Sequence, residues 1–233
     1  MTSAAGGLLL VGCGKMGGAL LSGWIEAGRA PGSITVVEPD PASFAKAVSS
    51  LPEGIRAEAA AFAARKADLV GRIERCTQTE AAGLKTRYHG DYHLGQVLLK
   101  RNDFVIVDFE GEPARPLAER RAKHSPLRDV AGMFRSFAYA REVAQQRCST
   151  ESAEDCAKWS PLLADWEAQS RQAFLDVYDE IARSHGLYPS LEQARPLLEL
   201  FVIEKALYEL RYELRNRPQW AGIPLRALTR PDG

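Results

Sequence analysis

The sequence predicts an α+β fold, in which a mostly helical C-terminal part with one β-hairpin follows a short β-α-β fragment. Three observations lead to this prediction. A strand, a glycine turn, a helix and a second strand follow one another at the N-terminus. Two apolar runs flank the turn residues KRND near the middle of the chain, as in a hairpin. The second half shows apolar side chains at helical spacing.

The composition narrows the functional classes. Thirty basic and thirty acidic side chains cancel over the 233 residues, which argues against a nucleic-acid binder or a polybasic membrane anchor. No apolar run reaches the roughly 18 residues of a membrane span. The apolar N-terminal segment lacks the basic start of a signal peptide, so we expect a cytoplasmic protein. Cys148 and Cys156 are close enough in sequence to pair under oxidising conditions, although the reduced cytosol favours free thiols.

The first strand, Leu8 to Val11, runs into GCGKMG, a G-x-G-x-x-G turn. Gly12 permits the tight turn, Gly14 lets the backbone approach a pyrophosphate, and Gly17 lets the next helix pack on the strand. The second strand, ITVVEP, ends in Glu38, whose carboxylate suits a ribose hydroxyl. The pattern predicts a cradle for NAD or NADP; the alternative is a glycine turn without a ligand.

The segment LLLVGCGKMGGALLSGW…ITVVEPDPA resembles the start of pyrroline-5-carboxylate reductase. This resemblance implies a partial Rossmann-like domain over residues 1–58 and an NAD(P) cofactor. The further strands and the helical substrate domain of that family have no counterpart in the residues that follow. We instead predict one long polar helix from EAAAFAARKADLVGRIERC. The domain boundary is placed within residues 51–59, and the second domain covers 62–233.

A hairpin is predicted within YHGDYHLGQVLLKRNDFVIVDFEGEP, residues 88–113. Its strands are Val97 to Leu99 and Phe104 to Phe109, separated by KRND. The hairpin brings both strand ends to one rim, where acidic and amide side chains gather. Three of these side chains form the predicted site: Asp91 and Gln96 before the first strand, and Asp108 in the second.

Phosphoryl transfer requires this combination of side chains. Asp91 is predicted to act as the catalytic base that accepts the proton of the acceptor hydroxyl. Gln96 and Asp108 are predicted magnesium ligands, and Glu110 is a further metal contact. The spacing Asp91-x-x-x-x-Gln96 follows the D-x-x-x-x-N pattern of kinase catalytic loops, with glutamine in place of asparagine.

Other interpretations of this stretch are weaker. His89, Asp91 and His93 would alternate faces on a strand and would not converge on zinc. A pair of glycosidase carboxylates leaves Gln96 unexplained. For His89 we predict a structural role, in which its ring braces the backbone of the loop.

The stretch HGDYHLGQVLL…DFVIVDFEGEPARPLAERRAKHSPLRDVAGMFRSF is very similar to maltokinase, and EKALYELRYELRNRPQWAGIPL matches the same family. The resemblance covers residues 62–228. It implies a kinase-like C-lobe of the aminoglycoside-phosphotransferase type, with ATP as co-substrate and Mg²⁺ as metal. The implied reaction is phosphorylation of maltose to maltose 1-phosphate for α-glucan synthesis. By analogy with fused forms of the family, it also implies association with trehalose synthase.

Three long helices are predicted after the hairpin. They begin at Ser125-Pro126, at Ser160-Pro161 and at Pro196, and the last one stops before Pro218. The stripe of the first helix consists of Leu127, Val130, Phe134, Phe137 and Ala138.

The last of these helices also carries a polar stripe of Glu204, Tyr208, Arg211 and Tyr212. Aromatic faces and planar hydrogen-bonding groups recognise sugars, so these residues are the predicted acceptor site. A solvated face with i,i+4 pairs is the alternative.

A complete kinase also needs a lysine on a strand that covers ATP, and we identify none before Asp91. The sequence therefore predicts a carbohydrate phosphotransferase with poor turnover. A nicotinamide-dependent reductase fragment and a non-catalytic fusion remnant remain as alternatives.

Overall fold

The computed structural model describes residues 8–11, 34–37, 51–78, 83–112 and 116–229. The chain divides into two compact units, residues 1–51 and 52–233. None of the described helices is long and apolar enough to cross a membrane.

The first unit contains two parallel strands, β1 (Leu8–Val11) and β2 (Ile34–Val37). Leu8 lies opposite Ile34, and Val11 lies opposite Val37. Parallel neighbours require a crossover connection between them. The glycine turn, the helix predicted after it and Glu38 lie outside the described residues.

The second unit is mostly helical and contains one hairpin. Its elements are α1 (Glu53–Ala64), α2 (Lys66–Gln78), β3 (Val97–Lys100), β4 (Asp103–Ile106), α3 (Leu117–Arg121), α4 (Leu127–Glu151), α5 (Ala153–Ser184), α6 (Leu191–Asn216) and α7 (Gly222–Thr229). Single 3-10 turns precede β3 and α7, at Leu94–Gln96 and Pro218–Trp220.

The main core forms where α4 packs against α5 and α6. All five apolar residues of the predicted α4 stripe are buried, as the i, i+3, i+4 spacing requires. Leu175 of α5 and Leu198 of α6 join this cluster. A helix of 25 residues therefore forms the centre of the unit and can position side chains toward several neighbours.

The single long helix predicted over residues 58–76 is wrong, because two helices occupy this region. The break falls at Arg65, whose backbone φ of −99° and ψ of 16° lie outside the helical range. Phe62 of α1, and Leu69 and Ile73 of α2, then pack with Ile203 of α6 and its neighbours. The break lets both short helices turn their apolar side chains toward the same cluster.

Two predicted helix starts also fall too late. Helix α5 begins at Ala153, and Ser152 caps it by accepting a hydrogen bond from the Asp155 amide at 3.2 Å. Helix α6 begins at Leu191, with Ser190 as its cap in the same way. Pro161 and Pro196 therefore lie inside helices, where each removes one backbone donor.

The hairpin has the predicted turn but a shorter second strand. Val97 pairs with Ile106 and Lys100 pairs with Asp103 in an antiparallel register. Arg101 and Asn102 connect the strands with positive φ angles of 52° and 60°, as in a two-residue turn of type I′. β4 ends at Ile106, three residues before the predicted end.

Candidate active site

A tightly held loop, residues 88–93, precedes the hairpin. The Asp129 carboxylate accepts hydrogen bonds from the backbone amides of His89, at 2.7 Å, and Gly90, at 2.9 Å. Burial raises the pKa of the Asp129 carboxyl, while these two hydrogen bonds act in the opposite direction. Helix α4 thus fixes the loop immediately before Asp91.

The ring of His89 braces the same loop from its other side. Its Nε2 lies 2.8 Å from the Val107 carbonyl oxygen, and its Nδ1 accepts the Asp91 amide at 3.3 Å. A neutral ring protonated at Nε2 satisfies both contacts. The predicted structural role of His89 agrees with this geometry. Within the described part of the chain, no group of three or more His, Cys, Asp or Glu residues is arranged to hold a metal.

Two glycines allow the close approaches that this loop requires. Gly90 has a φ of +86°, and a Cβ there would lie 3.1 Å from Gly111. A Cβ at Gly132 of α4 would lie only 2.6 Å from the carbonyl oxygen of Tyr92. Because any side chain at Gly132 would displace the loop, helix α4 sets the position of Asp91 by direct backbone contact.

Asp91 lies on the wall of a polar cavity of about 430 Å³. Its carboxylate is 3.6 Å from the Lys205 ammonium and 3.9 Å from His93 Nε2. Lys205 also donates to Glu112 at 3.1 Å. A single lysine of α6 therefore joins the loop to the segment after the hairpin.

Gln96 and Asp108 meet at the base of the hairpin. The Gln96 side-chain amide donates to the Asp108 carboxylate at 2.9 Å. The Val107 amide also donates to the Gln96 carbonyl at 3.0 Å, which joins the 3-10 turn to the end of β4. Asp108 has a φ of +65°, a strained conformation that clusters at functional sites when it occurs outside glycine.

Glu110 points toward α3 rather than toward this pair. Its carboxylate lies 3.9 Å from Arg120, and its carbonyl accepts a hydrogen bond from the same guanidinium. The side chain is 80 % exposed. The predicted metal contact of Glu110 stays a prediction.

The predicted acceptor residues separate into two groups. Tyr208 lines the cavity and donates to Glu112 at 3.0 Å. Burial and this hydrogen bond raise the pKa of Tyr208 to about 12, so its hydroxyl stays a donor. Arg211 is exposed, with its guanidinium carbon 5.9 Å from the centre of the Tyr208 ring. Glu204 pairs with Arg128 at 2.9 Å, away from the cavity lining.

The cavity-lining stripe of α6 begins one residue later than predicted. It consists of Lys205, Tyr208, Glu209, Tyr212 and Glu213. These residues follow the i, i+3, i+4, i+7, i+8 spacing of one helix face. Helical spacing applied to the sequence from Lys205 onward identifies this cavity-lining face.

A buried ion pair forms the floor of the cavity. Arg135 Nε donates to Glu209 at 2.8 Å, and the two residues are only 5 % and 9 % exposed. Burial raises the pKa of the Glu209 carboxyl, and the Arg135 guanidinium opposes that shift. Sequence reasoning missed this pair; its one signal was an arginine between apolar residues in the α4 stripe.

Further polar contacts extend the floor toward the C-terminal end of α6. Tyr139 donates to the Glu213 carboxylate at 2.9 Å, and Arg217 binds the same carboxylate at 2.7 Å. Burial and the nearby Glu209 carboxylate raise the pKa of Tyr139 well above its usual range. The lining is thus rich in fixed donors and acceptors, as sites for polyhydroxylated ligands are.

A second, apolar groove of about 670 Å³ lies on the other side of the loop. His89, Tyr92 and Phe109 contribute to it from the loop and hairpin, and Phe174 and Tyr178 contribute from α5. The loop therefore separates a polar cavity from an apolar groove.

The predicted dinucleotide residues Gly12, Gly14, Gly17 and Glu38 lie outside the described residues. Residues 8–70 nevertheless match a family model described as NADP oxidoreductase coenzyme F420-dependent. An oxidoreductase-like N-terminal segment is therefore supported at the level of this family description.

The chain is also similar to sugar kinases. A glucosamine kinase of Mycolicibacterium smegmatis is 36 % identical over 141 residues, which are 60 % of this chain and 33 % of the relative. A glucosamine kinase of Streptacidiphilus jiangxiensis is 30 % identical over 185 residues, which are 79 % of this chain and 39 % of the relative. The chain thus spans less than half the length of these relatives.

Solved structures lead to the same family of proteins. A glucosamine kinase in crystal form B superposes with a TM-score of 0.58 at 26 % identity, over 81 % of this chain and 42 % of that one. A glucosamine kinase in complex with glucosamine, ADP and inorganic phosphate gives 0.58 at 25 % identity, over 81 % and 44 %. A kinase-like helical fold is therefore supported, while the predicted preference for maltose and the association with trehalose synthase stay predictions.

Proposed function

We propose that this chain is the acceptor-binding and catalytic part of an ATP-dependent sugar phosphotransferase. One observation carries the proposal: Asp91 lies on a polar cavity, in the loop before a hairpin whose base pairs Gln96 with Asp108. A carboxylate at the acceptor and an adjacent amide–carboxylate pair are the side chains that phosphoryl transfer needs. The similarity to glucosamine kinases supports the same reaction class.

In this proposal Asp91 accepts the proton of the acceptor hydroxyl as the new oxygen–phosphorus bond forms. Asp129 and His89 hold the loop, and Lys205 holds the Asp91 carboxylate toward the cavity. The acceptor then occupies the space between Asp91 and the floor formed by Arg135 and Glu209.

Gln96 and Asp108 are the residues that would hold Mg²⁺. Their side chains are in direct contact, and Asp108 is exposed, so two oxygen ligands are available to a hard cation. When bound, the cation neutralises charge on the nucleotide phosphates. ATP is the expected donor, in line with the ADP in the related complex.

The charge of the cavity favours an amino sugar as acceptor. Four carboxylates line it, against three cationic side chains, Lys205, Arg135 and Arg217. The carboxylates belong to Asp91, Glu112, Glu209 and Glu213. A sugar ammonium group compensates the excess negative charge, whereas neutral maltose does not. Glucosamine is therefore the proposed acceptor, and the maltose predicted from the sequence is its rival.

Calorimetric titration of the full chain with glucosamine, maltose and glucose tests this proposal, and Mg²⁺-dependent release of ADP follows as a second measurement. We expect glucosamine to bind best and Asp91→Asn to abolish any sugar-dependent ADP release. Asp103→Asn, an exposed change in the same hairpin, is the matched control. Tighter binding of maltose would transfer the proposal to the disaccharide, and binding of none of the sugars would reject it.

A second function, NADP binding by the N-terminal segment, is favoured by the family match over residues 8–70 and by the parallel pairing of β1 with β2. Gly12, Gly14, Gly17 and Glu38 are its proposed ligand residues. Fluorescence titration with NADPH tests it: binding should be lost in Gly14→Val, because a side chain there blocks the approach of the pyrophosphate. Equal binding by both proteins would exclude the glycine turn as the site.

A further inference from the structure

The turn between α4 and α5 brings two thiols together. Cys148 lies in the last turn of α4, Cys156 lies in the first turns of α5, and Ser152 alone separates the helices. Helical hydrogen bonds reach Ser152 from both helices. The Ser152 amide donates to the Cys148 carbonyl of α4, and the Cys156 amide of α5 donates to the Ser152 carbonyl, each at 3.0 Å.

Gln145 shows which face of α4 the Cys156 thiol contacts. The Gln145 side-chain amide lies 2.7 Å from Cys156 Sγ, and the thiol lies 3.7 Å from the Gln145 carbonyl oxygen. Residues three apart share a helix face, so Cys148 lies on this same face, one turn farther along. The Cys156 thiol therefore packs against the face of α4 that carries Cys148. Both are free cysteines in this structure.

We propose that Cys148 and Cys156 are a redox-modification site that closes to a disulfide across the α4–α5 turn. Cys148 is half-buried and is reached first, whereas Cys156 is only 8 % exposed and reacts second. This inference is independent of the phosphotransferase proposal. It assigns a function to a pair of residues that lies outside both cavities.

A low-molecular-weight disulfide such as oxidised glutathione is the oxidant. The Cys148 thiolate attacks one of its sulfur atoms, a protein–glutathione disulfide forms, and one glutathione leaves as a thiolate. The Cys156 thiolate then attacks the Cys148 sulfur and releases the second glutathione. The two protein thiols lose two electrons, the oxidant gains them, and the two protons pass to the released glutathione molecules.

The test treats the folded full chain with oxidised glutathione, blocks remaining thiols and digests it with trypsin. Cleavage after Arg147 and Lys158 leaves both cysteines in one peptide. We expect this peptide to lose two hydrogens and to escape the blocking reagent. The loop is closed covalently, so the Tm should rise by roughly 5 °C, and a reducing agent should reverse the rise.

Two variants make the result decisive. Cys148→Ser, a small change at a half-buried position, should remove both effects, whereas Cys76→Ser should keep them. Recovery of the peptide with two blocked thiols, or with glutathione on each cysteine, would overturn the proposal. So would a peptide that loses two hydrogens only when the chain is treated in urea, because the bridge would then form only after unfolding.

Discussion

The side-chain amide of Gln96 donates a 2.9 Å hydrogen bond to the carboxylate of Asp108. This contact joins the residue before β3 to the second residue after β4, so closure of the hairpin creates it. Since these two side chains are the proposed magnesium ligands, Asp108→Asn should abolish Mg²⁺-dependent binding of ADP and leave sugar binding intact. Nucleotide titrations with and without Mg²⁺ measure the effect.

Asp103→Asn is the control for this experiment, because Asp103 lies in the same hairpin and contacts the Phe104 amide instead. Unchanged Mg²⁺-dependent nucleotide binding in Asp108→Asn would remove Asp108 from the metal site. Loss of binding in both variants would indicate damage to the hairpin rather than to a ligand set.

A second prediction concerns the loop that carries Asp91. Asp129→Ala leaves two partly buried amides, those of His89 and Gly90, without their acceptor. Hydrogen bonds to a charged group contribute about 1.5–3 kcal/mol each, so the free energy of unfolding should fall by about 3–6 kcal/mol. Urea unfolding measures this loss. Asp165→Ala, at an exposed site on α5, should cost little, and an equal cost in both variants would contradict the role of Asp129.

The raised pKa of Asp129 gives a third prediction, on the pH dependence of stability. Its ordinary value is 3.8, and burial raises it in the folded state. The folded chain therefore holds this proton more tightly than the unfolded chain. The raised pKa therefore adds to the free energy of unfolding below pH 3.8, and this stabilisation is lost as the pH rises through the folded-state pKa of Asp129.

Asp129→Asn should remove this loss of stability with rising pH, because asparagine does not titrate. Unfolding free energies of wild type and variant, measured at several pH values above 3.8, give the difference between the two proteins. We expect the free energy of unfolding of wild type, relative to that of the variant, to decrease as the pH rises. A difference that stays constant, or one that changes in the opposite direction, would show that Asp129 is not the group responsible.

A fourth prediction concerns the cavity floor. Arg135→Met leaves the Glu209 carboxylate buried and without its cationic partner, so the free energy of unfolding should fall by about 3–5 kcal/mol. The double variant Arg135→Met with Glu209→Leu should lose less, because neither charge is then buried. Urea unfolding of Arg135→Met, of Glu209→Leu and of the double variant, compared with wild type, completes a double-mutant cycle. Additive losses would mean that the two residues do not act as a pair.

Local patterns in the sequence predicted the parts of the site that depend on neighbouring residues. The KRND turn placed Gln96 and Asp108 at one end of a hairpin, and the α4 stripe identified five buried residues. His89 was correctly expected to brace the loop. Each of these features depends on strand pairing or helix periodicity over a short stretch of chain.

The features that the sequence did not predict depend on competition between two helix-start signals, or on contacts between residues that are far apart in the sequence. Ser152 and Ser190 cap their helices with side-chain oxygens, and this outweighs the signal of Pro161 and Pro196 farther along. The Arg135–Glu209 pair joins residues 74 positions apart, which periodicity cannot reveal. The predicted stripe contains Glu204 instead of Lys205. Both residues are at helical spacing from Tyr208, so the spacing alone does not distinguish them, and only Lys205 lines the cavity.

The cavity beside Asp91 is the proposed binding site of the acceptor sugar. Titration of the full chain with glucosamine, in wild type and in Glu112→Gln, tests this site. We expect binding to weaken about tenfold in the variant, a loss of about 1.4 kcal/mol, because the cavity then loses one of its four carboxylates, while Glu154→Gln on the exposed face of α5 binds as wild type does. Glucosamine binding that is equal in all three proteins would contradict it.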